Sequence, residues 1–241
     1  MIDLIRKSGI EKDLSFSLRI FRNEINQGLS TSRNIGINLA REKYLLFIDS
    51  DILLSKNYLL EHSILLQLFP NGLFLSLKQN IDKDSKMITD SKIKQGLVVP
   101  IFFDDKRITR NFQKNQLWVN EILSEGNVEI LSETQNFKRF GFGRIINGYD
   151  LPSVVVGHNF SIRKDELKDN LFSIEFKGWG LEDTLLGAKF IAGGGFVIPL
   201  LNTGVYHIDH PSRSGSAEKQ KVEYQKNLKI YKEIINKEEY E

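Results

Sequence analysis

The sequence predicts an α/β fold, in which one domain is built on a central mixed, mostly parallel sheet flanked by helices. Three observations favour this class. The run Tyr44–Ile48, YLLFI, is apolar on both faces of a strand, as in a central strand covered on both sides. Two acids, Asp49 and Asp51, follow at once, where open α/β sheets bind their ligands. Helix-like segments precede and follow this strand.

Length and composition limit the classes of function. A chain of 241 residues suits one buried domain, which we expect to span 1–241, with halves at 15–103 and 150–211 and a C-terminal helix at 215–238. The net charge of +2 gives no bulk attraction to nucleic acid. Cysteine is absent, which suits a reducing, cytoplasmic location. The most apolar window, 58–77, is interrupted by polar residues, so we expect no membrane span.

The elements follow in order along the chain. Ser15–Arg22 alternates apolar and polar residues as a strand does. Ser30 or Ser32 is expected to cap the next helix, and Ser55 to cap a later helix through Phe69.

Fewer helices and strands can be predicted in the rest of the chain. Leu73–Leu77 and Leu97–Phe103 are predicted strands. From Ser216 onward, apolar residues alternate with charged ones, which predicts an amphipathic helix that packs on the domain or on a partner.

Asp49 and Asp51 are the first candidate site. If the backbone stays extended, both carboxylates project to the same side of the chain. Two carboxylates suit Mg²⁺ or Mn²⁺ carrying a diphosphate. The alternative is a capping or turn role, which is how we interpret the second such pair, Asp82 and Asp84, in a polar segment.

The residues around this site resemble a known family. Gly28–Ser30, Ser32–Asn34, Gly36–Ile37, Ala40 and Tyr44–Asp51 are similar to the middle of family 2 glycosyltransferases of the GT-A fold, a single Rossmann-like domain. The resemblance implies Mn²⁺ or Mg²⁺ as cofactor and a UDP-sugar as donor. It also implies that Asp51 binds the metal directly, that Asp49 lies nearer the ribose, and that Arg33 and Asn34 lie close to the nucleotide.

The resemblance covers about residues 15–80 and 150–211. A full-length relative has two further strands upstream of the segment that matches Ser15–Arg22. We therefore expect an N-terminally shortened fold, for which a partner chain could supply the missing strands.

A second similar segment is Gly157–Asp165, GHNFSIRKD. It resembles the GxNxxxRR(D/E) segment that lies beside the donor sugar, which implies that Asn159 binds substrate. His158 lies beside apolar residues, and we assign it a structural role.

The third segment is Lys177–Leu185, KGWGLEDTL. Glycines on both sides of Trp179 allow its ring to turn into a cleft, and Glu182 and Asp183 open a helix whose N-terminal end favours anions. The alternative is an ordinary acidic helix start.

This segment resembles the GWGxED motif of β-1,4-galactosyltransferases and the WGGED motif of bacterial chondroitin polymerases. The resemblance implies that Asp183 is the catalytic base of an inverting reaction and that Glu182 helps to hold acceptor or sugar. It also implies that Trp179 stacks on a sugar, with Gly178 in the same substrate site.

The last candidate is the run Gly204–Pro211, GVYHIDHP, which holds two of the four histidines in the chain. In the similar enzymes a histidine here completes the metal site. His207 is therefore the expected ligand, and His210 is the alternative ligand. An imidazole beside carboxylate and diphosphate oxygens suits Mn²⁺. The alternative is two surface histidines before a turn.

The sequence therefore predicts a metal-dependent, inverting glycosyltransferase, of hexosyl or N-acetylhexosaminyl type, acting in bacterial polysaccharide biosynthesis. The donor is a UDP-sugar and the acceptor a hydroxyl of a glycan or another molecule. One alternative is a non-catalytic or partner-dependent GT-A remnant that binds a second polypeptide or a glycan. A phosphohydrolase or nucleotidyltransferase is a weaker alternative, because it leaves the GWGxED and YHxxH segments unexplained.

Overall fold

The computed structural model describes residues 16–82, 84, 89–96, 152, 155–167, 171–210 and 215–236. Within these ranges, helices flank one mixed sheet of five strands. The helices are α1 (Leu29–Leu39), α2 (Tyr58–Leu68), α3 (Asp90–Gln95), α4 (Glu182–Ala192) and α5 (Ala217–Ile235). The strands are β1 (Tyr44–Ile48), β2 (Ile52–Leu54), β3 (Gly72–Ile81), β4 (Asn159–Arg163) and β5 (Phe196–Ile208).

The strand order in the sheet is β1-β4-β3-β5-β2. The mixed sheet flanked by helices is confirmed, but the expectation of mostly parallel pairing is wrong for the described strands. Only β3 and β5 run parallel, and the other three neighbouring pairs are antiparallel. The apolar pattern within a strand does not report the direction of its neighbours, so the sequence held no signal for this.

β1 lies at the edge of the described sheet, where it pairs with β4 alone. Leu45 on this strand is buried, whereas Ile48 is 41% exposed. The prediction of a central strand is therefore wrong for the described part of the chain. The apolar residues of β1 also pack along the sheet, as in the stacking of Phe47 on its cross-strand neighbour Phe160 of β4 at 4.4 Å between ring centroids.

The first predicted strand and two predicted caps are also absent. Residues 16–28 form no helix or strand, and Phe16 and Ile25 are exposed. Alternation alone does not make a strand without a neighbour to pair with. Ser32 lies inside α1 and its hydroxyl donates to the Gly28 carbonyl at 2.8 Å, and Ser30 is also inside α1. Ser55 precedes α2 by three residues and makes no side-chain cap.

Other expected elements are present. α2 ends before Pro70, and β3 contains the predicted strand 73–77. Ser216 caps α5 by accepting a hydrogen bond from the Lys219 amide at 3.2 Å. Asp82 and Asp84 form an exposed turn, as interpreted from the sequence. The predicted strand 97–103 lies outside the described residues.

The sheet is covered on both faces. On one face α4 contributes Leu186 and Phe190 to a core that includes Leu75 and Phe160. On the other face α2 covers a buried polar network. His62 bonds to Ser161 at 2.7 Å and to Ser76 at 2.9 Å, and Ser76 bonds to Thr203. Burial lowers the pKa of His62 to about 4, so the imidazole is neutral at pH 7.

The pairing of β3 with β5 contains a bulge. Ser76 lies opposite Leu200, but the next residue, Leu77, lies opposite Gly204, so residues 201–203 of β5 are extra. Beyond the bulge the register is regular and places Asn80 opposite His207.

No helix in the described part of the chain combines the length and the hydropathy needed to cross a bilayer.

Candidate active site

The acidic pair lies in a turn between β1 and β2. The Asp49 carbonyl accepts a hydrogen bond from the Ile52 amide at 3.2 Å, and the Asp51 carbonyl accepts one from the Ile208 amide at 2.9 Å. The backbone is not extended here, because the chain reverses, so the condition for both carboxylates to project to one side is not met. The turn leads β2 alongside β5, so that Ile52 lies opposite His207.

Asp51 lies close to both histidines that were predicted as metal ligands. Its Oδ2 lies 2.7 Å from Nε2 of His210 and 3.6 Å from Nε2 of His207. Ligand atoms of these three residues all lie within 4.8 Å of one another. The sequence offered His207 or His210 as a ligand, and the structure brings the two together. Asp49 does not belong to this cluster.

The tautomer of His207 is set by Asn80. Nδ1 of His207 lies 2.9 Å from the Asn80 side-chain oxygen, so Nδ1 carries the proton and Nε2 keeps its lone pair facing Asp51. Burial and, next, the charge of Lys78 lower the pKa of His207, and both effects favour the neutral imidazole that a metal requires. Asn80 is a residue that the sequence did not single out.

The three residues fit a divalent transition metal. The Oδ1 atom of Asp51 is buried and has no hydrogen-bond partner among the described residues, so this acceptor is available to a cation. Two imidazole nitrogens and a carboxylate suit Mn²⁺ better than Mg²⁺, which prefers oxygen ligands.

His158 lies between the cluster and the predicted base. Its ring centroid is 6.3 Å from that of His207, and its carbonyl accepts a hydrogen bond from the Asp49 amide at 3.2 Å. The preceding amide, that of Gly157, donates to Oδ2 of Asp183 at 2.9 Å. Three of the four histidines in the chain therefore lie around one turn, a grouping that the fold creates and that the sequence did not show for His158.

The predicted base is held by backbone amides. Asp183 lies in the first turn of α4, where its Oδ1 accepts from the Thr184 amide at 2.9 Å in addition to the bond from Gly157. Each carboxylate oxygen keeps a further lone pair, so the group can still accept a proton. These bonds fix the direction in which the carboxylate points.

Glu182 is buried and forms an ion pair with Arg33, whose Nη1 lies 3.1 Å from its Oε1. Burial and, next, the negative charge of Asp183 raise the pKa of Glu182 to about 7, and Arg33 only partly offsets them. This carboxyl group therefore titrates near neutral pH.

Arg33 and Asn34, both on α1, make contacts with other segments of the chain. The Arg33 guanidinium lies over the Phe172 ring at 5.0 Å and against Gly157, where a Cβ atom would overlap it. The Asn34 side chain donates to the Phe172 carbonyl at 2.8 Å and accepts from the Phe172 amide at 3.0 Å. α1 is thereby tied to the segments on both sides of the site. The predicted proximity of these two residues to a nucleotide stays a prediction.

The three expected substrate-binding residues differ in their surroundings. Asn159 is fully buried, and neither polar atom of its side chain has a hydrogen-bond partner among the described residues. Gly178 has a φ of +76° and lies so close to Glu223 that a Cβ atom would come within 2.6 Å of the Glu223 carboxyl carbon. Trp179 is 49% exposed.

Known proteins resemble both the sequence and the fold. Residues 8–75 match the family model described as glycosyl transferase family 2. An uncharacterized glycosyltransferase of Haemophilus influenzae is 43% identical over 42 residues, which are 17% of this chain and 14% of that protein.

Two solved structures share the fold. A structure of GalNAc-T7 with UDP, GalNAc and Mn²⁺ aligns with a TM-score of 0.57 and 16% identity, over 99% of this chain and 43% of that one. A structure of residues 1–349 of S. aureus TarS aligns with a TM-score of 0.55 and 15% identity, over 97% of this chain and 53% of that one. The chain thus spans about half or less of the length of each of these proteins.

These structural matches show that the chain has the GT-A fold. The sequence similarity to glycosyl transferase family 2 lies within residues 8–75.

Proposed function

We propose that this chain is a metal-dependent, inverting glycosyltransferase that moves a sugar from a UDP-sugar to an acceptor hydroxyl. The observation that carries the proposal is the cluster of Asp51, His207 and His210 at the turn after β1 of a GT-A fold. A solved structure of the same fold binds UDP, GalNAc and Mn²⁺, which supports this choice of donor and metal.

Asp51, His207 and His210 would hold Mn²⁺ in preference to Mg²⁺, and Asn80 would keep His207 in its binding tautomer. A bound cation would neutralise charge on the diphosphate leaving group. Asp49 begins the same turn and, with Arg33 and Asn34, is assigned to the nucleotide side, as the family resemblance implies.

Asp183 is assigned as the general base. It takes the proton of the acceptor hydroxyl while that oxygen forms the new bond to the sugar carbon, and the bond from this carbon to UDP breaks. Attack from the face opposite the leaving group inverts the configuration. The amides of Gly157 and Thr184 fix the carboxylate, so that its free lone pairs are pre-oriented.

The remaining predicted residues are assigned to substrate. Asn159 is assigned to the donor sugar, as the family resemblance implies. Glu182 borders the base, and Gly178 and Trp179 belong to the acceptor side, where a glycan of a bacterial polysaccharide is the expected substrate.

The test is isothermal titration of the purified chain with UDP, with and without Mn²⁺, beside Asp51→Asn as control. We expect binding of UDP that requires Mn²⁺ and is lost in the variant. Transfer from UDP-hexoses and UDP-N-acetylhexosamines to glycan acceptors would then identify the sugar. Equal UDP binding with and without Mn²⁺, or in Asp51→Asn, would contradict the metal assignment.

A further inference from the structure

One buried side chain of α5 holds the backbone of the loop 177–181, which we call the GWG loop. Asn227 is 2% exposed, and its Nδ2 donates to the carbonyls of Trp179 at 3.2 Å and of Gly180 at 2.9 Å. Its Oδ1 accepts from the Lys177 amide at 3.3 Å. One asparagine thus satisfies three backbone groups of a loop that forms no helix or strand.

The GWG loop needs such support because its backbone is unusual. Gly178, Gly180 and Leu181 all have positive φ, at +76°, +96° and +76°. A non-glycine residue such as Leu181 adopts this conformation at a cost, which the surrounding contacts must outweigh. Positive φ values cluster at ligand sites, and this loop ends one residue before Glu182 and two before Asp183.

The same face of α5 places an aromatic ring beside Trp179. Tyr224 precedes Asn227 by about one helical turn, and its ring centroid lies 5.8 Å from that of Trp179 at an angle of 44°. A Cβ atom at Gly180 would lie 3.2 Å from the Tyr224 ring, so this glycine permits the close approach of the two elements. Glu223 contacts the loop next to this pair, at Gly178.

Trp179 remains half exposed although the loop beneath it is anchored by the buried Asn227. The half-buried Tyr224 beside this indole packs against the hydrophobic cluster under α5. Leu181 and Leu185 already pack against Ile234 and its neighbours. A rigid, exposed indole at an angle to a second ring, with a carboxylate at its border, is the arrangement in which a pyranose ring stacks its C–H face and bonds its hydroxyls.

We infer that α5 forms part of the acceptor site. Trp179 and Tyr224 make an aromatic corner that binds a sugar ring of the acceptor saccharide, and Asn227 is a positioning residue that fixes the loop. The inference rests on the proposed function, because it takes Asp183 as the group that this saccharide approaches. It assigns α5 a role in binding the acceptor, beyond packing on the domain.

The test uses the fluorescence of Trp179. The chain has two tryptophans, so Trp118→Phe leaves Trp179 as the single reporter. This variant is titrated with lactose, maltose and N,N′-diacetylchitobiose, with and without UDP and Mn²⁺. We expect at least one saccharide to change the emission of Trp179 in a saturable manner.

Variants of α5 then separate binding from folding. Tyr224→Ala is expected to weaken saccharide binding and raise the acceptor KM by about 3- to 10-fold, while Tyr224→Phe keeps the ring and most of the affinity. Asn227→Asp loses both donors to the loop and should raise the acceptor KM more than it lowers kcat. Val222→Ala, on an exposed position of the same helix, is the matched control and should change neither value.

The outcomes distinguish this inference from the proposed function. Manganese-dependent UDP binding and transfer, with no saccharide response at Trp179 or an unchanged acceptor KM in Tyr224→Ala, would overturn the inference alone. A saccharide response that is lost in Tyr224→Ala, in a chain that does not bind UDP, would support the corner as a glycan site and contradict the transferase.

Discussion

Replacing Glu182 by glutamine is expected to stabilise the protein at pH 8 and to leave its stability below pH 4.5 unchanged. Burial, with a contribution from Asp183, raises the pKa of Glu182 from 4.5 to about 7 in the folded chain. Between these values the folded state keeps a proton that the unfolded state has released. The stability that this group contributes is therefore fully present below pH 4.5 and is lost as the pH rises to 7.

The size of the effect follows from the pKa difference. Each pH unit corresponds to about 1.4 kcal/mol, so the interval from 4.5 to about 7 amounts to about 3 kcal/mol. Glutamine mimics the protonated side chain and keeps an oxygen facing Arg33, so the variant should lack this pH-dependent loss.

Urea unfolding, followed by circular dichroism from pH 4 to pH 8.5, measures the free energy of unfolding of both proteins. Glu175→Gln, at an exposed position, is the matched control and should follow the wild type at every pH. A Glu182→Gln variant that is less stable than the wild type at pH 8 would refute the reasoning. It would mean that the ion pair with Arg33 outweighs burial and that the folded chain holds an ionised carboxylate.

Three further predictions concern the site and its support. Asp183→Asn should lower kcat by roughly 10²- to 10⁴-fold with UDP affinity unchanged, as steady-state kinetics and titration would show, and an unaltered kcat would exclude it as the base. Asn80→Ala should weaken Mn²⁺ binding by about 10- to 100-fold, because His207 loses the partner that sets its tautomer, and Mn²⁺ titration by electron paramagnetic resonance would measure this. His62→Ala should destabilise the fold by about 2–4 kcal/mol in urea unfolding, because it opens a cavity and removes a hydrogen-bond partner from Ser161 and from Ser76; a loss below 1 kcal/mol would contradict this.

The family resemblance predicted that Asp51 and His207 or His210 lie together, and the structure brings all three together. That they bind a metal stays a prediction. A strand that ends in acids, followed far along the chain by a strand that ends in histidines, places Asp51 and His207 at related positions of one sheet. Asn80 was not predictable, because its role depends on the register between β3 and β5, and a polar residue late in a strand has many ordinary explanations.

The sheet and the supporting contacts were less predictable. The apolar pattern of β1 could not distinguish a central strand from an edge strand that stacks on α1 and β4. The sequence does not distinguish an Arg33 and an Asn34 that bind a nucleotide from an Arg33 and an Asn34 that bind the segment around Phe172. Only the tertiary contacts show that they contact Phe172. The charged, amphipathic pattern of α5 did not single out Tyr224 or Asn227. Their role depends on contacts with the GWG loop, which the sequence of the helix does not show.

The bulge in β5 sets the position of the candidate metal ligand. If the register at Ser76 continued unbroken through residues 201–203, it would place Gly204, not His207, beside Asn80. The insertion is odd in number, so it also exchanges the two faces of the strand. Residues 201–203 therefore act as a spacer that lets both halves of β5 pair with β3 while the second half brings His207 beside Asn80.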